Sequence, residues 1–267
     1  MELNIIGDIA GRYDELQLLL AKMPAKGVPF SVGDMNDGAQ SKEVFDFFML
    51  NGIAINSNHG HMLVELYRDT KYYEKQIWFL DGGWETLKSF MPDGYADENA
   101  QAVDDIENLI SACYRGDHEA WFRIETVWQE VHRMMLDVIP EKYIDWLDHL
   151  PMYCDDDDII ITHAPINPSI PFEKCLEIGT TAMSRKCQNS VLWNRGGTRR
   201  RTDGKFQVHG HMAKRNVEFL KDTQGIYGAS IDTSCPSKEG KQILSGLHWP
   251  SMEIFTQEYL SVGRAKK

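Results

Sequence analysis

Apolar positions in the first quarter of the chain come in two alternating kinds of run. Leu3-Asn4-Ile5-Ile6 is short and almost continuous, as in a buried strand, whereas residues 13–23 carry Leu16, Leu19, Leu20 and Met23 at helical spacing and close on Pro24 and Gly27. The pattern then repeats. Residues 28–32 read as a strand, 33–40 as a loop, and 43–50 as a helix with Val44, Phe47, Phe48 and Asn51 along one face. A third unit runs from Ile53-Ala54-Ile55 into a helix carrying Met62, Leu63, Leu66 and Tyr67. Successive strand-helix units predict a largely parallel sheet. Each strand is left through polar residues, Gly7-Asp8, Gly33-Asp34 and Asn58-His59. Ligands in open α/β sheets bind outside the carboxyl ends of the strands, so these exits predict one shared cleft.

The rhythm stops over residues 71–150, which read as a helical insertion in a single domain spanning 1–267. A double-glycine turn at Gly82-Gly83 leads into a helix, and further helices are predicted over 103–113, 119–136 and 141–150. Trp121, Ile124, Trp128, Val131 and Met135 form a stripe expected to pack in the core. Strand character returns at 158–162, with His163 just beyond it. The preceding run Asp155 to Asp158 lacks the spaced ligands of a calcium loop and reads as a solvated turn. From 206 to 256, short alternating runs punctuated by Gly225, Gly228 and Pro250 predict a second, mostly antiparallel sheet, with His209-Gly210-His211 at the end of one strand.

Composition narrows the class. A chain of 267 residues, 42% hydrophobic and 25% charged, can bury a full core. Its longest apolar runs, such as Ile159-Ile160-Ile161, fall far short of the roughly 18 residues of a membrane span, so no membrane association is expected. The amino terminus enters a strand directly, without a signal-peptide pattern. Five cysteines with no Cys-x-x-Cys pair predict neither a disulfide framework nor a zinc ribbon and favour a reducing, cytoplasmic setting. A net charge of -12 argues against nonspecific nucleic-acid binding, and Arg199-Arg200-Arg201 reads as a solvated loop.

Each polar cluster has an ordinary reading by itself. Asp8 and Asp34 can cap helices, His163 can be a satisfied core histidine, and His209 and His211 can alternate on an exposed strand. Their order along the chain and their common placement at strand ends are what set them apart. The clusters are Gly7-Asp8-Ile9-Ala10-Gly11, Gly33-Asp34-Met35-Asn36-Asp37-Gly38, Ser57-Asn58-His59-Gly60, His163 and Gly210-His211. Asp81-Gly82-Gly83-Trp84-Glu85-Thr86-Leu87, Leu192-Trp193-Asn194-Arg195 and Ile231-Asp232-Thr233 accompany them. In this sequence of motifs the chain resembles the calcineurin-like metallophosphoesterases. The closest branch is that of the phosphoprotein phosphatases, with its small bacterial and bacteriophage serine/threonine phosphatases and symmetrical diadenosine tetraphosphate hydrolases.

The resemblance implies an α/β fold, a metallophosphatase-type αββα sandwich of two mixed sheets with the helical insertion. It implies hydrolysis of a phosphomonoester, phosphoprotein or nucleotide by a metal-bound hydroxide. Two divalent ions about 3.5 to 4 Å apart can neutralise phosphoryl oxygens and activate water at neutral pH. Asp34 would bridge the ions, Asp8 would serve the first, and Asn58, His163 and His211 would complete the second. His59 would protonate the leaving oxygen, Asp37 would orient its imidazole, and Arg195 would clamp the phosphate. Manganese is the ion the resemblance favours.

The departures from the family pattern fall on the same residues. Ala10 stands where a histidine ligand belongs, so one metal position is expected to be tight and the other weak. Gly38 follows Asp37 directly where the family has Arg-Gly, and Ser57 and Gly60 flank Asn58-His59 in place of Gly and Glu. A second reading follows from these changes: a degenerate phosphatase that binds a phosphorylated or nucleotide partner without turnover.

Overall fold

The computed structural model of the chain describes residues 1–68, 75–177, 188–234 and 242–260. The chain opens with β1 (Leu3–Ile6), α1 (Tyr13–Leu20), β2 (Val28–Ser31), α2 (Ser41–Asn51), β3 (Ile53–Ala54) and α3 (Asn58–Arg68). Strand β1 pairs with β2 and β2 with β3, both in parallel, as the repeated strand-helix pattern predicts. Helices follow: α4 (Lys75–Trp78), α5 (Trp84–Phe90), α6 (Tyr95–Glu98), α7 (Ala100–Tyr114), α8 (His118–Val138) and α9 (Glu141–Asp148). The chain then forms β4 (Tyr153–Asp155), β5 (Ile159–Thr162), α10 (Phe172–Cys175), β6 (Phe206–His209), β7 (Glu218–Asp222), β8 (Gly225–Ser230), β9 (Ile243–Trp249) and β10 (Glu253–Glu258).

Two five-stranded mixed sheets result, in the orders β10-β9-β1-β2-β3 and β4-β5-β6-β8-β7. The final third of the chain therefore departs from the expectation of one mostly antiparallel sheet. Strands β9 and β10 leave for the first sheet, where β9 runs antiparallel to β1, while β5, β6 and β8 pair in parallel in the second. The crossover from β6 to β8 passes through β7 and contains no helix, so locally it looks like a hairpin connection. The hairpins are β4-β5, β7-β8 and β9-β10. Strand β4, hidden in a half-exposed stretch ending at Asp155, pairs with β5 at the sheet edge.

Alternation along the strands sets the layers. Leu3, Ile5, Phe30, Val32 and Ile55 meet Ile159, Ile161, Val208, Ala229 and Ile231 between the sheets. Ile6 and Leu244 turn the other way and join the helices on the outer face of the first sheet. Ile160, Ile166, Cys175 and Val191 pack outside the second. The αββα sandwich expected from the motifs is the observed one. Each fully buried Val, Ile or Phe contributes about 1.5–3 kcal/mol, so a one-residue slip of β1, which would exchange its two faces, is strongly opposed. That register fixes where Asp8 leaves the sheet.

Two helical faces differ from expectation. In α2 the buried positions are Val44, Phe45 and Phe48, while Asn51 is exposed, because Phe45 contacts Phe90, Tyr143 and Trp146 from later helices. In α8, Ile124, Trp128, Val131 and Met135 are buried, but Trp121 lies outside the stripe at 39% exposure. The double-glycine turn is a kink between α4 and α5, where Gly82 adopts φ 104°. A Cβ there would lie 2.5 Å from the Asp37 carbonyl oxygen, so the bare backbone lets the helical layer press on the Asp37 loop.

Candidate metal centre

The exits of β1, β2, β3, β5 and β6 converge at one edge of the sandwich and bring together most of the residues singled out in the sequence. Asp34, His163 and His211 are buried and present ligand atoms within 4.8 Å of one another. Asp34, Asp37 and His59 form a second such group, sharing Asp34 with the first. Among the described residues, five non-glycine positions have positive φ, and four of them are Ala10, Asp34, Asp37 and His211. Backbone held in this sparsely populated region is concentrated where side chains must be aimed.

Hydrogen bonding fixes the state of His163. Its Nδ1 donates to the Val32 carbonyl at 3.0 Å, which leaves Nε2 as an unprotonated lone pair in the neutral ring. That Nε2 lies 2.7 Å from Asn58 Oδ1, with the amide oriented oxygen-inward, and 3.5 Å from Asp34 Oδ1. His211 packs edge-on to His163, with ring centroids 5.0 Å apart. Asp34 Oδ1 and His211 Nε2 are both buried without a hydrogen-bond partner. These two atoms thus face one buried space with no hydrogen-bond partner, an arrangement a cation reconciles. Two imidazoles, a carboxylate and an amide oxygen make a mixed nitrogen-oxygen set suited to a first-row divalent ion.

Electrostatics agree with that donor set. Burial pushes His163 and His211 below the ordinary histidine range, His211 strongly, so both rings stay neutral. Burial opposes the charge of Asp34, yet the surrounding imidazoles of His163, His59 and His211 hold its carboxyl down at about 2. Ser57 donates to Asp34, and Gly60 N–H donates to the Ser57 hydroxyl at 3.1 Å, so the residue replacing the family glycine has a role in the loop.

The Asp8 flank is built differently. Asp8 accepts the His211 backbone N–H at 3.0 and 3.2 Å, and a Cβ on Gly210 would lie 2.0 Å from Asp8 Oδ1. Beside Asp8 lies Asp232, only 2% exposed, whose carboxylate accepts from the Ser234 amide and hydroxyl. Burial and then the charge of Asp232 raise Asp8 well above the carboxylate range, and burial raises Asp232 as well. The two carboxylates repel each other in this buried position. Ala10 contributes a methyl group, and neither His61 nor His209 replaces the missing imidazole. His61 lies on α3 by Glu65 and Asp148, and His209 lies beside Ser230 on the outer face of the second sheet. Asp232 belonged to a recognised motif without an assigned role. Its position just past a buried strand was the same signal that marked Asp8.

His59 and Asp37 are in contact, Nδ1 to Oδ2, at 2.6 Å. The oxygen lies off the ring N–H axis, since Nδ1 makes no geometrically sound hydrogen bond, so the contact is ionic in character. Burial disfavours charge on His59, but Asp37, Asp34 and Asp81 overcome it and lift the imidazole to about 10. Burial lifts Asp37 to about 6, with His59 opposing the rise. Between those two values the pair is ionised. Asp37 is held by Asn36 Nδ2 at 3.0 Å and by its own N–H donating to Thr86 Oγ1 at 2.8 Å, contacts the motifs did not disclose. Gly38 packs on the Ala10-Gly11 backbone, where a Cβ would lie 2.1 Å from the Ala10 carbonyl oxygen. Arg195 is exposed, lies in the field of His211, and lines cavities of about 330 and 620 Å³. Arg200 and Arg201 are tied to Asp222 and Asp203, in keeping with a solvated loop.

No family model and no curated protein matches the sequence. Among solved structures, that of a "putative diadenosine tetraphosphatase" is similar at 16% identity, with 97% of this chain and 94% of that one covered and a TM-score of 0.55. A metallophosphoesterase from Sphaerobacter thermophilus is 11% identical over 97% of this chain and 88% of its own, with a TM-score of 0.49. A protein serine/threonine phosphatase from Saccharomyces cerevisiae, with similarity to human phosphatase PP5, is 13% identical over 100% and 82%, with a TM-score of 0.47. The first likeness establishes a shared fold over nearly the whole of both chains. It agrees with the sandwich that the motifs led us to expect. Among the described residues, no helix is long and apolar enough to cross a membrane.

Proposed function

We propose that this chain is a divalent-metal-dependent phosphoesterase acting on a phosphomonoester, phosphoprotein or nucleotide. The observation that carries the reading is the buried group of ligand atoms His163 Nε2, Asn58 Oδ1, Asp34 Oδ1 and His211 Nε2, the last two without a hydrogen-bond partner. These four residues would hold one ion, with Asp8 contributing to a weaker second position, and manganese is the ion to test first. Such an ion, when bound, supplies Lewis acidity that draws charge from phosphoryl oxygens and acidifies water.

The remaining residues act on the substrate directly. His59, kept protonated by Asp37, offers Nε2–H to the departing oxygen, a contribution of about 10² to 10⁴ in rate. Asn36 and Thr86 keep Asp37 in place for that task. Arg195 presents a guanidinium fork that matches two phosphate oxygens. Trp193, edge-on to His211 at 6.4 Å, backs the imidazole and limits its movement.

Ala10 and the mutual repulsion of the buried Asp8 and Asp232 favour a second reading, in which the chain binds a phosphorylated partner without turnover. Phosphate release from p-nitrophenyl phosphate in manganese separates the two. The esterase reading expects His59→Ala to be slower by about 10² to 10⁴ with unchanged metal per chain. Equal rates for the two proteins remove it.

A further inference from the structure

The pleat of the second sheet places His209 and Ser230 side by side. They are register partners on β6 and β8, while Val208, Ala229 and Ile231 face the sandwich interior. Over this outer face the turn at 195–198 encloses a cavity of about 330 Å³, with Arg195, Thr198, His209, Lys214, Glu218 and Ser230 as its polar lining. That volume lies at the small end of the range for small-molecule sites, about 300 to 1,000 Å³.

The lining contains unused binding capacity. Ser230 is 2% exposed, and its hydroxyl has no hydrogen-bond partner, a standing cost to the fold that a ligand oxygen would remove. Among the described residues Arg195 makes no ion pair. Lys214 has only Glu218, at 3.4 Å and itself 58% exposed. Thr198 is committed to Gln207 at 3.0 Å. His209 Nδ1 donates to the Gly210 carbonyl, leaving Nε2 to accept from a protonated ligand oxygen. The cavity also adjoins the metal centre. His209 and His211 are two residues apart, so their α-carbons are separated by no more than about 7 Å, and Arg195 lines the cavity within electrostatic reach of His211.

We propose that this cavity receives a second phosphoryl group of the substrate, so that the chain prefers diphosphates and bisphosphates to simple monoesters. Lys214 and Arg195 hold the anion, the Ser230 hydroxyl donates to it, and His209 accepts from its protonated oxygen. Arg195 spans the two phosphoryl groups. The inference rests on the esterase reading for the position of the first phosphoryl group, but its test needs no turnover.

Calorimetric titration of the manganese-loaded protein with methylenediphosphonate and with inorganic phosphate measures the preference directly. The parent should bind the diphosphonate at least about 10-fold more tightly than phosphate, by two further charge-assisted contacts. Ser230→Ala and Lys214→Met should each narrow that preference about 5-fold, the ordinary value of one hydrogen bond, with phosphate affinity unchanged. Ser230→Ala should melt no lower than the parent, which a purely structural hydroxyl would not allow. Arg199→Ala, on the same exposed turn but outside the cavity, should alter neither affinity. An unchanged preference in both variants, equal weakening of both ligands, or no preference in the parent overturns the subsite. A protein that shows the expected preference pattern yet hydrolyses nothing keeps the subsite and loses the esterase reading.

Discussion

The two flanks of Asp34 draw on the same strand-end residues and differ in what those residues can do. On one flank, His163, His211 and Asn58 offer neutral donors held by hydrogen bonds and packing. On the other, Asp8 faces Asp232, and burial and their mutual repulsion raise both carboxyls above the ordinary range. The difference shows why an imidazole at position 10 matters. A neutral nitrogen adds a ligand without adding charge, whereas a second buried carboxylate adds repulsion that a proton relieves as readily as a metal.

The largest effect should come from removing the residue common to both flanks. Asp34→Ala should lower metal affinity by at least about 100-fold, the upper end of what loss of even a supporting residue causes, and leave phosphate release at background. Asp8→Ala should cost less than about 10-fold in the tightest binding step. Metal per chain after dialysis against graded manganese gives both numbers, and equal losses would erase the distinction between the flanks.

Ala10→His should narrow the contrast from the other side. Ala10 already sits at φ 50°, so the new side chain meets no backbone strain beyond what alanine bears. Manganese needed for half-maximal activity should fall about 10-fold. The gain in rate should be partial, since no arginine follows Asp37 to neutralise phosphate charge. A second ion bound with no gain in rate would favour the non-catalytic reading.

The smallest effect concerns the His59-Asp37 pair, which adjoins the well-formed flank. A folded-state pKa raised from the ordinary histidine value to about 10 means the folded protein holds that proton more tightly than the unfolded chain. The resulting stability is fully present below about 6.5 and is lost as pH rises through about 10. In chelator, the melting-temperature advantage of the parent over His59→Gln should therefore be greatest near pH 7, where Asp37 is ionised as well, and shrink steadily from there towards pH 10. An advantage that grows with pH would contradict the assigned charge.

What could be read from the sequence was local. An apolar run followed at once by a polar exit located Asp8, Asp34, Asn58, His163 and His211, because the strand and its end are set by a few adjacent residues. The turn at Gly82 was legible for the same reason, though not its contact with the Asp37 carbonyl. What escaped depends on distant partners. The choice of β1 by β9, the pairing of edge strand β4 and the rotation of the α2 face towards Phe45 are all decided by elements far away in the chain. Asp232 belongs with these, since its closeness to Asp8 exists only once the ends of β1 and β8 meet.

The contact between Gly38 and the Ala10 carbonyl makes the two departures from the family pattern unequally reversible. Position 10 is one amino-acid replacement away from a ligand. A side chain at position 38 would collide with that carbonyl at 2.1 Å, so an arginine cannot be regained there by replacement. It requires an added residue and a wider loop. Point-mutation libraries of this protein can therefore place an imidazole at position 10 but not a guanidinium at position 38, a ratchet that confines its nearby sequence space to variants with the short loop after Asp37.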